Sequence, residues 1–262
     1  MLPPEIHAVI LDMDGVLWRD ESPLGDIAAA CRRLRQAGLA FAFATNNSTA
    51  TPAQYVAKLG KFRASVSEEQ IVTSSIVIAD LVRKTLPAGA RVFAVGEDGL
   101  KVALRAAGLR LADLQEFESA SAVVMGMDRA ITFETMRAAA LLVGRGVPFF
   151  ATNPDRTFPT PAGQIPGAGA WASVISTSTG IQPTFGGKPS PYMVNLALER
   201  LGADPAETLV VGDRVETDVA AGQAAGCPVA LVLTGVSTLQ EAWAWQPPIG
   251  IIAESLWALL DA

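Results

Sequence analysis

The hydrophobic pattern of the chain switches period along its whole length. Short apolar runs rich in β-formers alternate with stretches whose apolar residues recur at helical spacing, which predicts an α/β protein with a mainly parallel sheet. His7-Ala8-Val9-Ile10-Leu11 reads as the first strand, followed by a helix over about residues 25–37 that Gly38 ends. A second strand covers 39–44, a helix over about 52–59 carries Pro52 in its first turn, and Ile71-Val72-Thr73 leads into a helix that stops before Pro87. The middle forms a complete α/β set of its own, with strands at 91–95, 121–125 and 147–152 and helices ending near 107 and covering 132–144. A stretch rich in Pro, Gly, Ser and Thr follows. The chain then resumes its first style, with a helix at 191–201, strands at 209–211, 229–233 and about 249–252, and no fixed-period repeat. Polar, acid-bearing residues come directly after the strands ending at Leu11, Ala44 and Val211. Open α/β sheets place ligand sites at such carboxyl ends, so the clusters point to one shared site.

Composition narrows what that site can be. Of 262 residues, 50% are hydrophobic and 18% charged, and the net charge is −6, which fits a globular chain with a sizeable core and no broad footprint for nucleic acid or anionic lipid. The single histidine, His7, is the only residue through which a Ser-His-Asp triad, a histidine metal site or a histidine proton relay could run. Cys31 and Cys227 form no C-x-x-C pair, which excludes zinc-ribbon and thioredoxin readings and suits a reducing compartment. The first residues, MLPPEIHAVILDMDG, carry acids where a signal peptide needs a basic and then a longer apolar stretch, so they read as a cytoplasmic start. Residues 157–187 and 219–240 lack charge, but the first holds four prolines and the second is broken at Gly226-Cys227-Pro228. Neither reads as a membrane helix of ~20 apolar residues.

Four clusters carry chemistry. In Asp12-Met13-Asp14-Gly15 a turn at the glycine lets the Asp12 carboxylate and the Asp14 carbonyl meet one cation, leaving the Asp14 carboxyl free. One carboxylate can then be a nucleophile and the other a proton donor, although a plain strand-end turn also accounts for the pattern. Thr45-Asn46-Asn47-Ser48 offers uncharged donors that suit an anion, or the N-cap of a helix-entry loop. Gly186-Gly187-Lys188-Pro189-Ser190-Pro191 presents a lysine suited to phosphate just before a helix; it is no Walker A loop, because Gln182 stands where its first glycine would be needed. Gly212-Asp213-Arg214-Val215-Glu216-Thr217-Asp218 supplies carboxylates for a hard cation, or an acidic first helical turn.

In this order the clusters D-x-D-G-V-L, T-N-N-S, G-K-P-S-P and G-D-R-x-x-T-D resemble the four motifs of the haloacid dehalogenase (HAD) superfamily. The long insertion between the second and third, with Ala151-Thr152-Asn153-Pro154-Asp155 and Pro166-Gly167-Ala168-Gly169, is similar to the C2-type cap of NagD and p-nitrophenylphosphatase-like phosphatases. The resemblance implies a Rossmann-like core from residues 1–77 and 185–262, interrupted by an α/β cap at 78–184. It implies a Mg²⁺-dependent phosphatase of small phosphorylated metabolites, in which Asp12 forms an aspartyl-phosphate and Asp14 is acid and then base. Thr45, Asn46, Asn47 and Lys188 would hold the phosphoryl group, Asp12, Asp14 and Asp213 the metal, and Asp218 the metal's surroundings. Glu216 stands where this subfamily has Asp, a departure that touches only a supporting role. Nucleic acid and membrane are not expected partners, and a homodimer through the cap is compatible with the reading.

Two other users of the same Asp, Mg²⁺ and Lys set stay open at this point: a phosphomutase, which would pass the phosphoryl group to sugar, and a receiver-like phospho-acceptor, which needs about half this length. A dehydrogenase is weaker, because Gly167-Ala168-Gly169 lacks the third glycine and a preceding strand. Asn153, Asp155 and Asp128 follow strands of the insertion and are candidates for selecting the leaving group, with local turns as the rival role. Trp243 and Trp245, before Pro247-Pro248, offer a partner surface or, the favoured reading, packing under the C-terminus, and His7 is expected to cap the sheet edge rather than do chemistry.

Overall fold

A computed structural model describes residues 2–160 and 162–261. The chain divides into two compact units, one comprising Met1–Thr45, Pro52–Val72 and Lys188–Ala262, the other Asn46–Thr51 and Thr73–Gly187. The second interrupts the first in sequence.

The first unit is built on a six-stranded sheet in the order Ile251–Ala253, Val229–Val232, Thr208–Gly212, Ala8–Leu11, Ala40–Thr45 and Ile71–Thr73. Ala8–Leu11 is central and pairs in parallel with Thr208–Gly212 on one side and Ala40–Thr45 on the other. All residues of Ala8–Leu11, Thr208–Gly212 and Val229–Val232 are buried, as expected of parallel strands covered on both faces. The helix Ile27–Gln36 shows how locally this is written: Asp26 accepts the Ala29 amide at 2.8 Å, and Ile27, Ala30, Cys31 and Leu34 place one apolar stripe on the core. Arg33 and Arg35 then complement the dipole of the last turn.

The second unit is a parallel five-stranded sheet in the order Thr184–Phe185, Phe149–Ala151, Val123–Met125, Arg91–Val95 and Arg110–Ala112. Alternate strand residues face opposite layers. Phe93, Val123, Met125 and Phe149 pack with the helices Phe133–Gly144 and Ala168–Thr179, while Val92, Val124 and Phe150 pack with Ser74–Thr85 and Asp98–Ala106. Ile78, Ala79 and Val82 tie the helix Ser74–Thr85 to this unit, whose longer segment is Thr73–Gly187.

Four features differ from the sequence reading. The Pro-rich stretch contains a hairpin, Thr157–Thr160 with Gly163–Pro166, tolerated because a two-stranded ribbon leaves proline an unpaired side. The uncharged segment after it is the helix Ala168–Thr179, whose apolar stripe is interrupted by Ser and Thr that bond back to their own helix. Trp243 is 71% exposed on the short helix Leu239–Ala244, so it does not pack under the C-terminus; Trp245 does turn inward, donating to Gln223 at 3.0 Å. His7 precedes the central strand, not an edge, and pairs with Glu207 at 2.9 Å.

Candidate active site

Asp12 is the first residue beyond the central strand, and its amide still donates to Val211 at 2.9 Å. The chain then coils tightly, Leu17 donating to the Met13 carbonyl and Gly15 to that of Trp18, each at 2.8 Å. Gly15 has φ +81°, and a Cβ there would stand 2.5 Å from Asp213 Oδ2. Only glycine meets both demands. Gly235 is under the same constraint from the other side, where a Cβ would collide with the Asp213 carboxylate.

Lys188, 3% exposed, reaches across the strand ends. Its Nζ is 2.5 Å from Asp12 Oδ1, 2.5 Å from Asp218 Oδ1 and 3.0 Å from the Ala44 carbonyl, each an oxygen acceptor for the ammonium. Asp213 follows Thr208–Gly212; its Oδ2 accepts from the Val236 amide at 2.7 Å and its carbonyl from Ser237 at 3.0 Å. Asp218 lies in a π-turn, Val215–Val219, a form common at functional sites. Its Oδ2 accepts from the Arg214 amide and the Thr217 hydroxyl, both at 3.2 Å. Glu216 in the same turn points to solvent.

Ligand oxygens of Asp12, Asp213 and Asp218 lie within 4.8 Å of one another, and all three residues are buried. Burial and the neighbouring carboxylates of Asp218, Asp213 and Asp14 push the Asp12 carboxyl well above its ordinary range, against the pull of Lys188. Burial together with Asp218 lifts Asp213 to about 6. Burial alone would depress Lys188, but Asp12 and Asp218 outweigh it and raise its pKa. Three carboxylates against one ammonium leave two negative charges in a buried all-oxygen donor set. A hard divalent cation such as Mg²⁺ fits both the charge and the ligand type.

Asp14 keeps solvent access, and its Oδ1 accepts from Trp18 Nε1 at 2.9 Å. Loss of hydration raises its carboxyl, while the Trp18 donor and the Lys58 charge oppose the rise. Thr45 is buried at the end of its strand. Nearby, the Tyr55 hydroxyl is buried beside Thr45, and its pKa is raised by burial and by the Asp14 charge against the pull of a hydrogen bond with Thr45.

The remaining residues of the second motif belong to the second unit. Asn46 Nδ2 donates to both oxygens of Asp155, at 3.1 and 3.3 Å, and its carbonyl accepts from Asn153 Nδ2 at 2.7 Å and Ser74 Oγ at 2.6 Å. Asn153 and Asp155 therefore hold the loop that follows Thr45. Asn47 Oδ1 accepts from the amide and hydroxyl of Thr49 at 2.9 and 2.8 Å, and Asp128 closes its own turn on the Ala130 amide at 2.8 Å. The structure thus brings Asp12, Lys188, Asp213 and Asp218 together in one unit, and Asn46, Asn153 and Asp155 in the other. Sequence reasoning missed Trp18, Tyr55 and the Val236–Ser237 supports of Asp213. The signal for the last was present: Thr234-Gly235-Val236-Ser237 is a fourth small, polar cluster after a strand, overlooked because it carries no acid.

Among the described residues no helix is long and apolar enough to cross a membrane. Residues 9–110 match the haloacid dehalogenase-like hydrolase family model, and residues 185–259 match a second model of HAD-hydrolase-like proteins. The acid sugar phosphatase of Staphylococcus aureus is 38% identical over 237 residues, 90% of each chain. The p-nitrophenyl phosphatase from Archaeoglobus fulgidus superposes with a TM-score of 0.91 at 35% identity, over 98% of this chain and 99% of that one. The glycerol phosphate phosphatase of Mycobacterium tuberculosis, solved in complex with magnesium, gives 0.90 at 32% identity, over 97% of this chain and 76% of that one.

Proposed function

The chain belongs to the haloacid dehalogenase-like hydrolases, and on that premise we propose that it is a Mg²⁺-dependent phosphatase that hydrolyses small phosphate monoesters, sugar phosphates foremost, through an aspartyl-phosphate on Asp12. The observation that carries this reading is the Lys188 ammonium held 2.5 Å from Asp12 beside the three-carboxylate cluster. A phosphate dianion repels a carboxylate nucleophile, so the nucleophile must sit where positive charge is concentrated. Asp12, Asp213 and the Asp14 carbonyl would hold Mg²⁺, which would supply the rest of that charge when bound. Asp218 keeps Lys188 in place through its Oδ1.

Lys188 offsets charge on Asp12 as its oxygen bonds to phosphorus, while Thr45 donates to a phosphoryl oxygen. Asp14 protonates the departing alcohol and then takes a proton from the water that attacks the aspartyl-phosphate, with Asp12 as leaving group. Acid–base work is done by a carboxyl, consistent with a single histidine that sits away from the site in an exposed pair with Glu207. The names of the relatives, all hydrolytic phosphatases, favour water as acceptor over the sugar of a phosphomutase. The buried thiols Cys31 and Cys227 suit a reducing cytoplasm, and a homodimer through the cap is the assembly this reading extends to. The test is a screen of phosphorylated metabolites for released phosphate with Mg²⁺ and with a chelator. Release of phosphate from sugar phosphates only with Mg²⁺ supports the proposal, and release that persists in the chelator contradicts it.

A further inference from the structure

Trp18 is fully buried, yet its one polar atom is spent on an exposed carboxyl: Nε1 donates to Asp14 Oδ1 at 2.9 Å. The ring is fixed on two sides. Phe62 stacks against it with centroids 6.1 Å apart and planes 29° apart, and Lys58 Nζ stands 4.4 Å from its centroid. Lys58 is itself tethered, to the Asp20 carbonyl at 3.1 Å and Glu21 Oε1 at 3.3 Å. The Gly15 amide bonded to the Trp18 carbonyl closes the turn that brings the indole back over Asp14. A rigid donor is thus aimed at one oxygen of a side chain that solvent would otherwise leave free to rotate.

We propose that Trp18 is a positioning residue for Asp14, fixing Oδ1 as the accepting oxygen so that the proton is carried, given and taken back on Oδ2. A protonated carboxyl has one O–H donor and one carbonyl acceptor. An N–H held at Oδ1 favours the form in which Oδ1 is the carbonyl oxygen and Oδ2 the hydroxyl. When the ester P–O bond breaks, its electron pair goes to the leaving oxygen, which takes the Oδ2 proton; Oδ2 later receives the proton of the attacking water. Such placement is where orientation adds to catalysis.

The inference rests on the phosphatase reading, and the experiment separates the two. If wild-type protein with Mg²⁺ releases no phosphate, the reading itself has failed; if it turns over, Trp18→Phe tests the inference alone. Phenylalanine keeps an aromatic ring beside Phe62 and removes the N–H together with part of the indole's volume, a packing loss that falls equally on both substrates. General acid catalysis contributes on the order of 10²-fold or more, so kcat for an alkyl phosphate is expected to fall about tenfold or more with KM nearly unchanged. For p-nitrophenyl phosphate, whose leaving group departs without a proton, the fall is expected to stay within about threefold. Equal factors on both substrates, or no fall on either, overturn the proposal. Should the variant fail to fold, the wild type and Asp14→Ala are compared by indole ¹H–¹⁵N correlation: one of the five tryptophan resonances moves upfield in Asp14→Ala, and an unchanged set of indole resonances overturns the proposal.

Discussion

Lys188 holds Asp218 as closely as it holds Asp12, with Nζ 2.5 Å from Oδ1 of each. The lysine is therefore positioned by one carboxylate to serve another. Removing one partner of a buried ion pair costs about 3 kcal/mol or more because a charge is stranded. Asp218→Ala is expected to lower unfolding stability by about that amount in urea titration and to lower kcat by a similar factor on every phosphate ester tested. Unchanged stability would contradict the role given to Asp218.

The Asp213 carboxyl, lifted to about 6 by burial and by Asp218, makes the metal-free protein sensitive to pH. Its folded pKa lies above the value of about 3.9 for an unfolded aspartate, so its contribution is fully present below about 3.9 and is lost as pH rises through about 6. The loss is on the order of 3 kcal/mol. In a chelator, the stability of wild type relative to Asp213→Asn should decline between those pH values, and Mg²⁺ should restore it near neutrality. Identical pH slopes for the two proteins would contradict the shift.

Asp14→Ala is expected to reduce turnover of an alkyl phosphate by about 10²-fold or more, the usual weight of general acid catalysis, and of p-nitrophenyl phosphate by much less. Steady-state kinetics on both esters checks this. Equal losses would argue that Asp14 is not the acid.

Both carboxylate oxygens of Asp155 accept from the Asn46 amide, and on the reading proposed above Asp155 supports the loop after Thr45 and leaves selection of the leaving group to other residues. Loss of a charge-assisted hydrogen bond amounts to about 1.5 kcal/mol, so Asp155→Ala should weaken inhibition by inorganic phosphate about tenfold. It should do so without changing the ranking of substrates. A changed ranking with intact phosphate inhibition would return Asp155 to leaving-group selection.

The acids of the candidate site were legible because charge directly after a buried strand is rare enough to stand out: Asp12 after Ala8–Leu11 and Asp213 after Thr208–Gly212. The element order was legible from period alone, down to the left-handed Gly38 after the helix Ile27–Gln36, where φ is +74°. Trp18 was not, because in a Val-Leu-Trp run an indole reads as core, and its burial bears that out while hiding the use of its N–H. The tie between Asn46 and Asp155 was hidden for another reason: it joins positions 109 residues apart, and an Asn or Asp beside proline looks like a local turn. The hairpin of Thr157–Thr160 with Gly163–Pro166 was masked by its prolines.

The account turns on Asp12 as nucleophile, and acid-quenching the enzyme during turnover with Mg²⁺ and a phosphate ester, then mapping phosphoryl groups by peptide mass spectrometry, tests it most directly. The expected result is a phosphoryl group on the peptide containing Asp12, absent in a folded Asp12→Asn variant that no longer turns over. A phosphoryl group mapped to another residue, or full turnover by Asp12→Asn, would contradict it.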